Sequence, residues 1–400
     1  MSTENKNRLF QASCLALVVT AMTFAIRAGI LGQLSSSFTL SDTELGWINS
    51  MAFLGFPLAM MLLGLLYNLL GPKKIMAMAF LGHLLGLGLT IYADGFWTLL
   101  ISTFFIGFAN GAVEAACNPM ITDMYPEKKT VMLNKFHVWF PGGIVIGALI
   151  SQFMTSVGLG WELQIAVMIV PTLLYGYLVF RQPFPPSRHI ESSTRINIAS
   201  LFSPLYLFMI LCMTLTATTE LGTQQWVGRI LGESGASPMI ILALGTGLMA
   251  VGRQFAGPVI HALNPIGVLL ASALVSTVGI YLLSIASGGM VYLATIVFAV
   301  GVMYFWPTMI GFVGEYQPRT GALGMSLMGG AGMFATGIWH PIIGGWIDQN
   351  REAAQAMGMV GEAADLAAGQ GTLQNLALFP AALVFLFGAL FLLRHRISKT

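Results

Sequence analysis

Four ionisable side chains stand inside long apolar stretches of the sequence: Arg27, Glu114, Glu220 and Arg253. At the centre of a bilayer, a charged side chain costs at least ~2.5 kcal/mol on insertion scales. A charged residue at membrane depth therefore indicates a function, such as binding a solute, carrying a proton or pairing with an opposite charge. These four residues are the first candidates for chemistry in this chain.

Glu114 is flanked by Asn110 and Asn118, each four residues away. Residues four apart lie on the same face of a helix, so the three polar side chains are expected to stack along one face and to line a cavity. Two interpretations of Glu114 stay open at this point. Either it takes up and releases a proton, or it is a fixed ion-pair partner whose charge never changes.

A second polar group begins at Glu220, which is followed one turn later by Gln224 and then by Gln225 and Trp226. A carboxylate, two amides and an indole could bind a neutral sugar, because hydroxyls need hydrogen-bond partners and a sugar ring has an apolar face that stacks on an aromatic ring. The alternative is that these side chains bridge neighbouring helices.

His137 can donate, accept or take up a proton near neutral pH, and it is a candidate substrate ligand. Trp306 precedes Pro307 and His340 precedes Pro341. A proline removes a backbone hydrogen bond, which is tolerated at membrane depth mainly where neighbours or a cavity satisfy the freed carbonyl. Trp306 is therefore predicted to be a stacking platform for the substrate, with His340 ranked lower. Ordinary packing is expected for Trp139 and Trp339, and a snorkelling or gate-closing role for Arg253.

The elements that position these residues follow from the composition. Of 400 residues, 56% are hydrophobic and 8% are charged, whereas an average soluble domain has roughly 25% charged residues. A membrane-spanning helix needs ~20 apolar residues, and interruptions by Gly, Pro or charge divide the chain into twelve predicted spans. Their limits are 10–34, 44–70, 74–93, 96–124, 131–157, 161–180, 200–230, 237–262, 266–287, 289–314, 320–347 and 372–393.

Orientation is predicted from the loops, because Lys and Arg in short loops are retained on the cytoplasmic side. Most basic loop residues fall on one side of the twelve spans, so both termini are predicted to be cytoplasmic in a multi-pass protein of the inner (plasma) membrane. No small-residue cleavage site follows the first apolar segment, which is expected to be a retained helix. The basic residues on that side include Lys6, Arg8, Lys73, Lys74, Lys128, Lys129, Arg181, Arg188, Arg195, Arg319, Arg394 and Arg396.

Residues 181–199, RQPFPPSRHIESSTRINIA, form the longest polar, proline-containing stretch between spans. They predict a cytoplasmic linker between two six-helix bundles, residues 1–180 and 200–400. Gly64 and Pro72, between spans 2 and 3, have the same spacing as Gly257 and Pro265, between spans 8 and 9. NPMITDMYPEKKT, at the end of span 4, is likewise similar to WPTMIGFVGEYQPRT, at the end of span 10. Such echoes at equivalent places indicate a duplicated six-helix unit.

The loop GLLYNLLGPKK, residues 64–74, resembles the signature loop between helices 2 and 3 of the major facilitator superfamily, which has the form Gly, then Asp, then Gly-Arg-Lys. Gly64, Gly71, Lys73 and Lys74 keep this pattern, and Asn68 stands where the acid is usual. The resemblance implies an all-α membrane protein with twelve transmembrane helices in two pseudo-symmetric six-helix bundles. It also implies that this loop is a gating loop.

Spans 4 and 5, with GAVEAACNPMITDMYPEKKTVMLNKFHVWFPGG, resemble the fucose permease family of sugar and proton symporters. TELGTQQW in span 7, FWPT in span 10, and SLMGGAG and HPIIGGWID in span 11 resemble the same family. The resemblance implies alternating access that carries one sugar and one proton inward together. It places Glu114 on the proton-linked glutamate of that family, and His137 where the family tends to show a glutamine.

Arg27 departs from that family, whose helix 1 presents a carboxylate at about this level. A guanidinium stays charged at any working pH, so it cannot carry the proton itself. Arg27 either takes part in proton coupling by pairing with Glu114, or grips a carboxylate or phosphate of the substrate in a forked contact. Pairing is the leading expectation, because an unpaired arginine in an apolar cavity is unfavourable.

The sequence contains no Gly, four residues, Gly-Lys-Ser/Thr loop for nucleotides, and no Ser-His-Asp or metal-ligand constellation in its loops. We therefore expect a protein that is not an enzyme, has no cofactor and no metal, and draws energy from a gradient. The leading prediction is a proton-coupled symporter of a monosaccharide or sugar derivative. The alternatives are an organic-anion transporter or exchanger and a membrane receptor or scaffold. The expected partners are a sugar-like solute, a proton and the lipid bilayer, with no nucleic acid, and the chain is expected to be monomeric.

Overall fold

A computed structural model describes residues 3–125, 132, 135–185 and 199–397, and the regular elements within these ranges are helices. The chain divides into two compact units, Met1–Ile190 and Glu191–Thr400. Most of the predicted linker, residues 186–198, lies outside the described residues. The first unit contains α1 (Thr3–Phe38), α2 (Asp42–Leu65), α3 (Tyr67–Ile91), α4 (Phe96–Met124), α5 (Trp139–Ser156), α6 (Trp161–Ala166) and α7 (Ile169–Phe180).

The second unit begins with α8 (Pro204–Ala217), which continues through a π-helix (Thr218–Gly222) into α9 (Thr223–Gln225) and α10 (Val227–Ile230). The elements that follow are α11 (Pro238–Gln254), α12 (Ala256–Ile285), α13 (Met290–Val302), α14 (Phe305–Tyr316), α15 (Gly321–Ala356) and α16 (Glu362–Leu392). Among the described residues, 10 helical segments are long and apolar enough to cross a membrane, and Pro238–Arg253 is a shorter apolar helix. The chain is therefore a multi-pass membrane protein.

The first turn of α2 shows how local sequence sets a helix boundary. The Ser41 hydroxyl accepts a hydrogen bond from the Glu44 backbone N–H at 3.2 Å, and the Glu44 carboxylate accepts one from the Ser41 backbone N–H at 2.9 Å. This capping box satisfies two backbone donors that a helix start leaves without partners. Helix α2 therefore begins at Asp42.

Helices α2 and α4 touch through their backbones. A Cβ atom on Gly55 would lie 2.7 Å from the carbonyl oxygen of Phe104, and a Cβ on Gly107 or Gly111 would overlap the backbone of Ala52 or Phe56. Only glycine allows this approach, which is the usual way for membrane helices to pack without a hydrophobic driving force between them.

The Gly–Pro spacing shared by residues 64–72 and 257–265 corresponds to a break in the backbone that occurs in both units. Gly71, before Pro72, has φ 72° and ψ 160° inside α3, and Asn264, before Pro265, has φ 54° and ψ 166° inside α12. In both places the proline starts the long apolar part of the helix, because its fixed φ suits a first helical position and it needs no hydrogen-bond acceptor there. Predicted span 2, which ran to residue 70, is corrected: α2 ends at Leu65.

Helices α15 and α16 are longer than the spans predicted for them at 320–347 and 372–393. Residues 348–356 and 362–371 continue the helices, because this stretch is rich in Ala, Glu, Gln and Arg, which favour helix at positions where packing does not decide. Arg351 joins the two ends, since its Nε donates to Asp365 Oδ1 at 2.6 Å and its Nη1 lies 3.5 Å from Asp348 Oδ1.

Candidate substrate and ion sites

Glu114 lies in α4 with 8% of its surface exposed. The Asn118 amide, one turn further on, donates to Glu114 Oε2 at 2.9 Å. His137, in the helical turn just before α5, places Nε2 3.8 Å from the same oxygen and 3.2 Å from Asn118 Oδ1. We call these three side chains the Glu114 cluster.

The Glu114 cluster can hold a proton in two places. A protonated imidazole would pair with the carboxylate, and a neutral one with its proton on Nε2 would donate to the Asn118 oxygen. The His137 side chain is 44% exposed and that of Glu114 is 11% exposed, so a proton can reach the imidazole more easily than the carboxylate. A nearly buried carboxylate inside a membrane-spanning helix is a candidate functional residue.

Asn110 does not join this cluster, which corrects the expectation of a single three-residue face. It is fully buried; its amide donates to Thr23 Oγ1 on α1 at 2.9 Å, and its oxygen accepts from His83 Nε2 on α3 at 2.8 Å. His83 Nδ1 in turn lies 2.9 Å from the hydroxyl of Tyr175 on α7. Each four-residue step also turns about 40° around a helix, so Asn110 and Asn118 differ by about 80° and meet different neighbours.

His83 was missed by the sequence reasoning, although a signal was available. It is a polar residue in the middle of an apolar span, and it is fully buried. Polar side chains in such places hydrogen-bond across helices. Here His83 helps to join α3, α4 and α7.

Arg27 is only 6% exposed, and its Nη1 atom is completely buried without a hydrogen-bond partner among the described residues. It lines a cavity of the first unit together with Thr23, Thr103 and apolar side chains. Glu114 instead contacts Asn118 and His137. The expected ion pair between Arg27 and Glu114 is therefore absent from the described part of the chain.

In the second unit, Glu220 lies in the π-helix, 6% exposed, and its Oε1 accepts from Arg253 Nη2 at 3.2 Å. Short π-helices are rare and occur frequently at functional sites. Arg253 also donates through Nε to the Met303 carbonyl oxygen at 2.8 Å. That carbonyl lies four residues before Pro307, which has no N–H to donate to it.

The position of Arg253 thus compensates for the hydrogen bond that Pro307 removes. Residues 303 and 304 interrupt the helix between α13 and α14, and Arg253 satisfies the carbonyl that this break leaves open. Arg253 was expected to snorkel or to close a gate. Its observed role within the second unit is an ion pair with Glu220 and a hydrogen bond to the backbone.

The predicted sugar-binding residues after Glu220 separate into two groups. Gln224 is partly buried, and its amide lies 3.4 Å from Met249 Sδ. Gln225 and Trp226 are buried, at 3% and 0% exposure. The Trp226 indole N–H donates to Nδ1 of the buried His340 at 3.0 Å. Trp226 is therefore a packed residue with a satisfied donor in this conformation, which corrects its expected role as an open stacking surface.

Trp306 and the other tryptophans lie in different surroundings. Trp306 is partly buried, and its ring lies within van der Waals distance of a Cβ placed on Gly329 of α15. Trp339 packs against Trp346 and Phe379 with ring centroids 5.8 Å and 4.7 Å away, which matches the packing role expected for it. Trp139 is 45% exposed.

The predicted gating loop contains the turn between α2 and α3. Lys73 and Lys74 are exposed at the start of the long part of α3, after the break at Gly71. Gly64 has no atom within 4 Å of a Cβ placed on it, and the side chain of Asn68 lies outside the described residues. Within the described ranges, no cluster of His, Cys, Asp and Glu is suited to hold a metal ion.

In the described ranges, long apolar helices, a repeated backbone break and two partly buried ionisable pairs characterise a polytopic membrane protein. A family model described as "Major Facilitator Superfamily" matches residues 13–340, so the chain belongs to this superfamily. The prediction of an all-α membrane protein with the major facilitator fold is thereby confirmed. The narrower resemblance to the fucose permeases stays a prediction.

Several curated relatives are transporters of small solutes. A putative niacin/nicotinamide transporter of Bacillus subtilis (strain 168) is 26% identical over 189 residues, 47% of this chain and 46% of that protein. A myo-inositol transporter of Candida albicans is 26% identical over 161 residues, 40% of this chain and 29% of that protein. A hexuronate transporter of Bacillus subtilis is 25% identical, covering 40% of each. The chain thus spans less than half the length of these relatives.

Solved structures resemble the chain over nearly its whole length. A bacterial homologue of the lysosomal transporter Spinster has a TM-score of 0.79 at 14% identity, covering 100% of this chain and 98% of that one. A D-xylose–proton symporter has a TM-score of 0.75 at 14% identity, covering 94% and 97%. At these identities the likeness concerns the fold alone.

Proposed function

We propose that this protein is a secondary active transporter that moves a monosaccharide or sugar derivative together with a proton, by alternating access. The observation that carries the proposal is the Glu114 cluster, in which a nearly buried carboxylate in α4 is held by an amide and lies beside an exposed imidazole. Relatives that transport myo-inositol, D-xylose and hexuronate support the sugar-like substrate.

The residues have separate roles in this proposal. Glu114 carries the proton, Asn118 orients its carboxylate, and His137 passes the proton or binds a solute hydroxyl. Gln224 and Trp306, which are partly buried, are the side chains of the second unit that bind and stack the solute. Glu220 and Arg253 keep that region in place through the bond to the Met303 carbonyl.

Uptake into proteoliposomes with an imposed proton gradient tests the proposal. The panel contains neutral sugars, polyols, amino sugars and sugar acids. We expect Glu114→Gln to abolish uphill accumulation while counterflow remains, because an amide keeps hydrogen bonds but cannot cycle a proton. Glu162→Gln, which removes an exposed acid, is the matched control and should accumulate solute like the parent. The symport proposal is wrong if Glu114→Gln still accumulates solute at the parental level, or if no panel solute moves.

A second candidate is transport of an organic anion, supported by the relatives that transport niacin and hexuronate. A carboxylate solute needs a cation, and Arg27 has no ion-pair partner among the described residues. The cavity beside Arg27, however, has a volume of about 10 Å³, the scale of one water molecule. A sugar acid does not fit there in this conformation, which favours the first candidate.

A further inference from the structure

Arg27 is a buried cation with no protein partner in the described part of the chain. It is 6% exposed, its Nη1 atom is shielded from solvent, and no acceptor of the described residues receives a bond from it. A guanidinium has five N–H donors and cannot be deprotonated in proteins. A lone buried charge is strongly unfavourable unless an opposite charge compensates it.

The cavity that Arg27 lines belongs to the first unit and is distinct from the Glu114 cluster. Its wall is mostly apolar, with side chains such as Ile48, Ile106 and Ile165, and three threonines supply hydroxyls. Its volume is about 10 Å³, so an occupant must be the size of a water molecule or a single monatomic ion.

The threonine hydroxyls differ in what they can still donate. Thr23 donates to the Thr20 carbonyl at 2.7 Å, and Thr90 donates to the Gly86 carbonyl at 2.8 Å. Thr103 is 3% exposed and lines the same cavity, and a threonine hydroxyl can donate one hydrogen bond. The cavity therefore offers the guanidinium of Arg27 and the hydroxyl of Thr103, which are both hydrogen-bond donors.

We propose that this cavity is a binding site for one small monovalent anion of the size of chloride, held by Arg27 and Thr103. Two donors and a positive charge suit an anion, and the apolar wall suits one that gives up its water easily. A water molecule would leave the charge uncompensated. Sulfate or phosphate would bring more charge than one arginine balances and more volume than the cavity contains.

The test uses the purified full-length protein in detergent, with no gradient, so its result does not depend on the proposed transport activity. Chloride is titrated against gluconate at constant ionic strength, and the thermal unfolding midpoint is measured. A ligand that binds only the folded state raises this midpoint as the ligand concentration increases. We expect the midpoint to rise with the concentration of chloride and of bromide, and not with that of gluconate.

Variants assign the effect to the cavity. Arg27→Gln should remove the chloride dependence, and Thr103→Val should weaken chloride binding several-fold while keeping the side-chain shape. Arg8→Gln is the matched control, because it removes an arginine that is exposed and paired with Glu4, and it should respond like the parent. If Arg27→Gln does not fold, bromide anomalous scattering from crystals of the parent replaces it, with a peak expected beside Arg27.

Three results would overturn the proposal. The first is a parent protein without chloride dependence, and the second is an equal dependence in Arg27→Gln and the parent. The third is stabilisation by formate or acetate without any effect of halides, which would indicate a carboxylate site instead.

Discussion

Asn110 and Asn118 are chemically identical residues on one helix with different surroundings. Asn110 is fully buried between Thr23 and His83, whereas Asn118 is partly buried beside Glu114 and His137. Losing a buried hydrogen-bond partner costs the desolvation of the groups left behind, about 1–3 kcal/mol. The two asparagines should therefore matter for different properties of the protein.

We predict that Asn110→Ala lowers the thermal midpoint, because Thr23 and His83 lose their partner, by an amount that corresponds to about 1–3 kcal/mol. Asn118→Ala should lower the midpoint less, because Asn118 is itself only partly buried and His137 remains beside Glu114, and it should reduce proton-driven uptake, since Glu114 loses the donor that orients it. Thermal unfolding and proteoliposome uptake of both variants measure this contrast. An unchanged midpoint for Asn110→Ala, with lost uptake, would instead place Asn110 in the substrate site.

At the scale of single residues, spacing predicted some contacts and not others. The four-residue step from Glu114 to Asn118 placed both side chains on one helix face, and in the structure they are joined by a hydrogen bond. Spacing did not predict contacts between different helices. The expected Arg27–Glu114 pair is absent among the described residues, and the hydrogen bond between Trp226 and His340 was not predicted. Helical periodicity states which residues share a face but not which neighbour that face meets.

At the scale of helices, the breaks at Gly71 and Asn264 have similar backbone angles but different chemistry. The combination of positive φ with ψ near 160° is essentially restricted to glycine. Asn264 adopts it as well, and its side-chain oxygen accepts a hydrogen bond from the Gly267 backbone N–H at 3.1 Å, as a helix cap does. The second break therefore combines backbone strain with a stabilising cap.

We predict that Gly71→Ala lowers stability by about 1–3 kcal/mol, because an alanine is strained at these angles. Asn264→Gly should be nearly neutral, since glycine relieves the strain and suits a cap position, whereas Asn264→Ala should lose about 1 kcal/mol. Thermal unfolding of the three variants measures the order of their stabilities. A larger loss for Asn264→Gly than for Asn264→Ala would contradict this account.

Each of the 10 candidate membrane spans among the described residues overlaps a span predicted from hydropathy, but hydropathy did not predict the irregular segments within the helices. The π-helix at Thr218–Gly222 and the interruption at residues 303–304 depend on tertiary bonds made by Glu220 and Arg253. The helical extension to Ala356 was missed because the segment is polar and the prediction followed apolar length. Pro307 was the one local signal of an interruption.

At the scale of the whole chain, the orientation in the membrane remains a prediction from the basic loops. The native Cys14, Cys117 and Cys212 are buried, at 5%, 0% and 0% exposure, so they should react slowly with a membrane-impermeant thiol reagent. Introduced cysteines can therefore be compared against a low background. Tyr92, which is 86% exposed after α3, and Lys73, which is exposed before it, form a suitable pair.

We predict that Tyr92→Cys is labelled in intact cells and that Lys73→Cys is labelled only after permeabilisation, because the basic loop with Lys73 is predicted to lie in the cytoplasm. Mass shift after reaction with an impermeant maleimide is the measurement, and the parent protein is the control. The opposite labelling pattern would invert the orientation and place both termini outside.

The division of the chain into two units was the most accessible whole-chain property, because similar sequence patterns at equivalent places predicted it. Gly64 and Pro72 in one half and Gly257 and Pro265 in the other pointed to the same backbone break, which the structure contains twice. The solute could not be predicted in this way, since a repeated backbone break carries no information about the side chains that bind a solute.

The backbone contact between α2 and α4 has a mechanical consequence. Where Gly107 and Gly111 contact Ala52 and Phe56, the two backbones touch, so one helix cannot slide along the other without steric overlap. Close-packed elements of this kind have low compressibility and transmit strain, so α2 and α4 should move as one rigid body. Glu114 lies on α4, and the turn that leads to α3 follows α2. A movement of α4 caused by a change in the charge of Glu114 would therefore also move that turn.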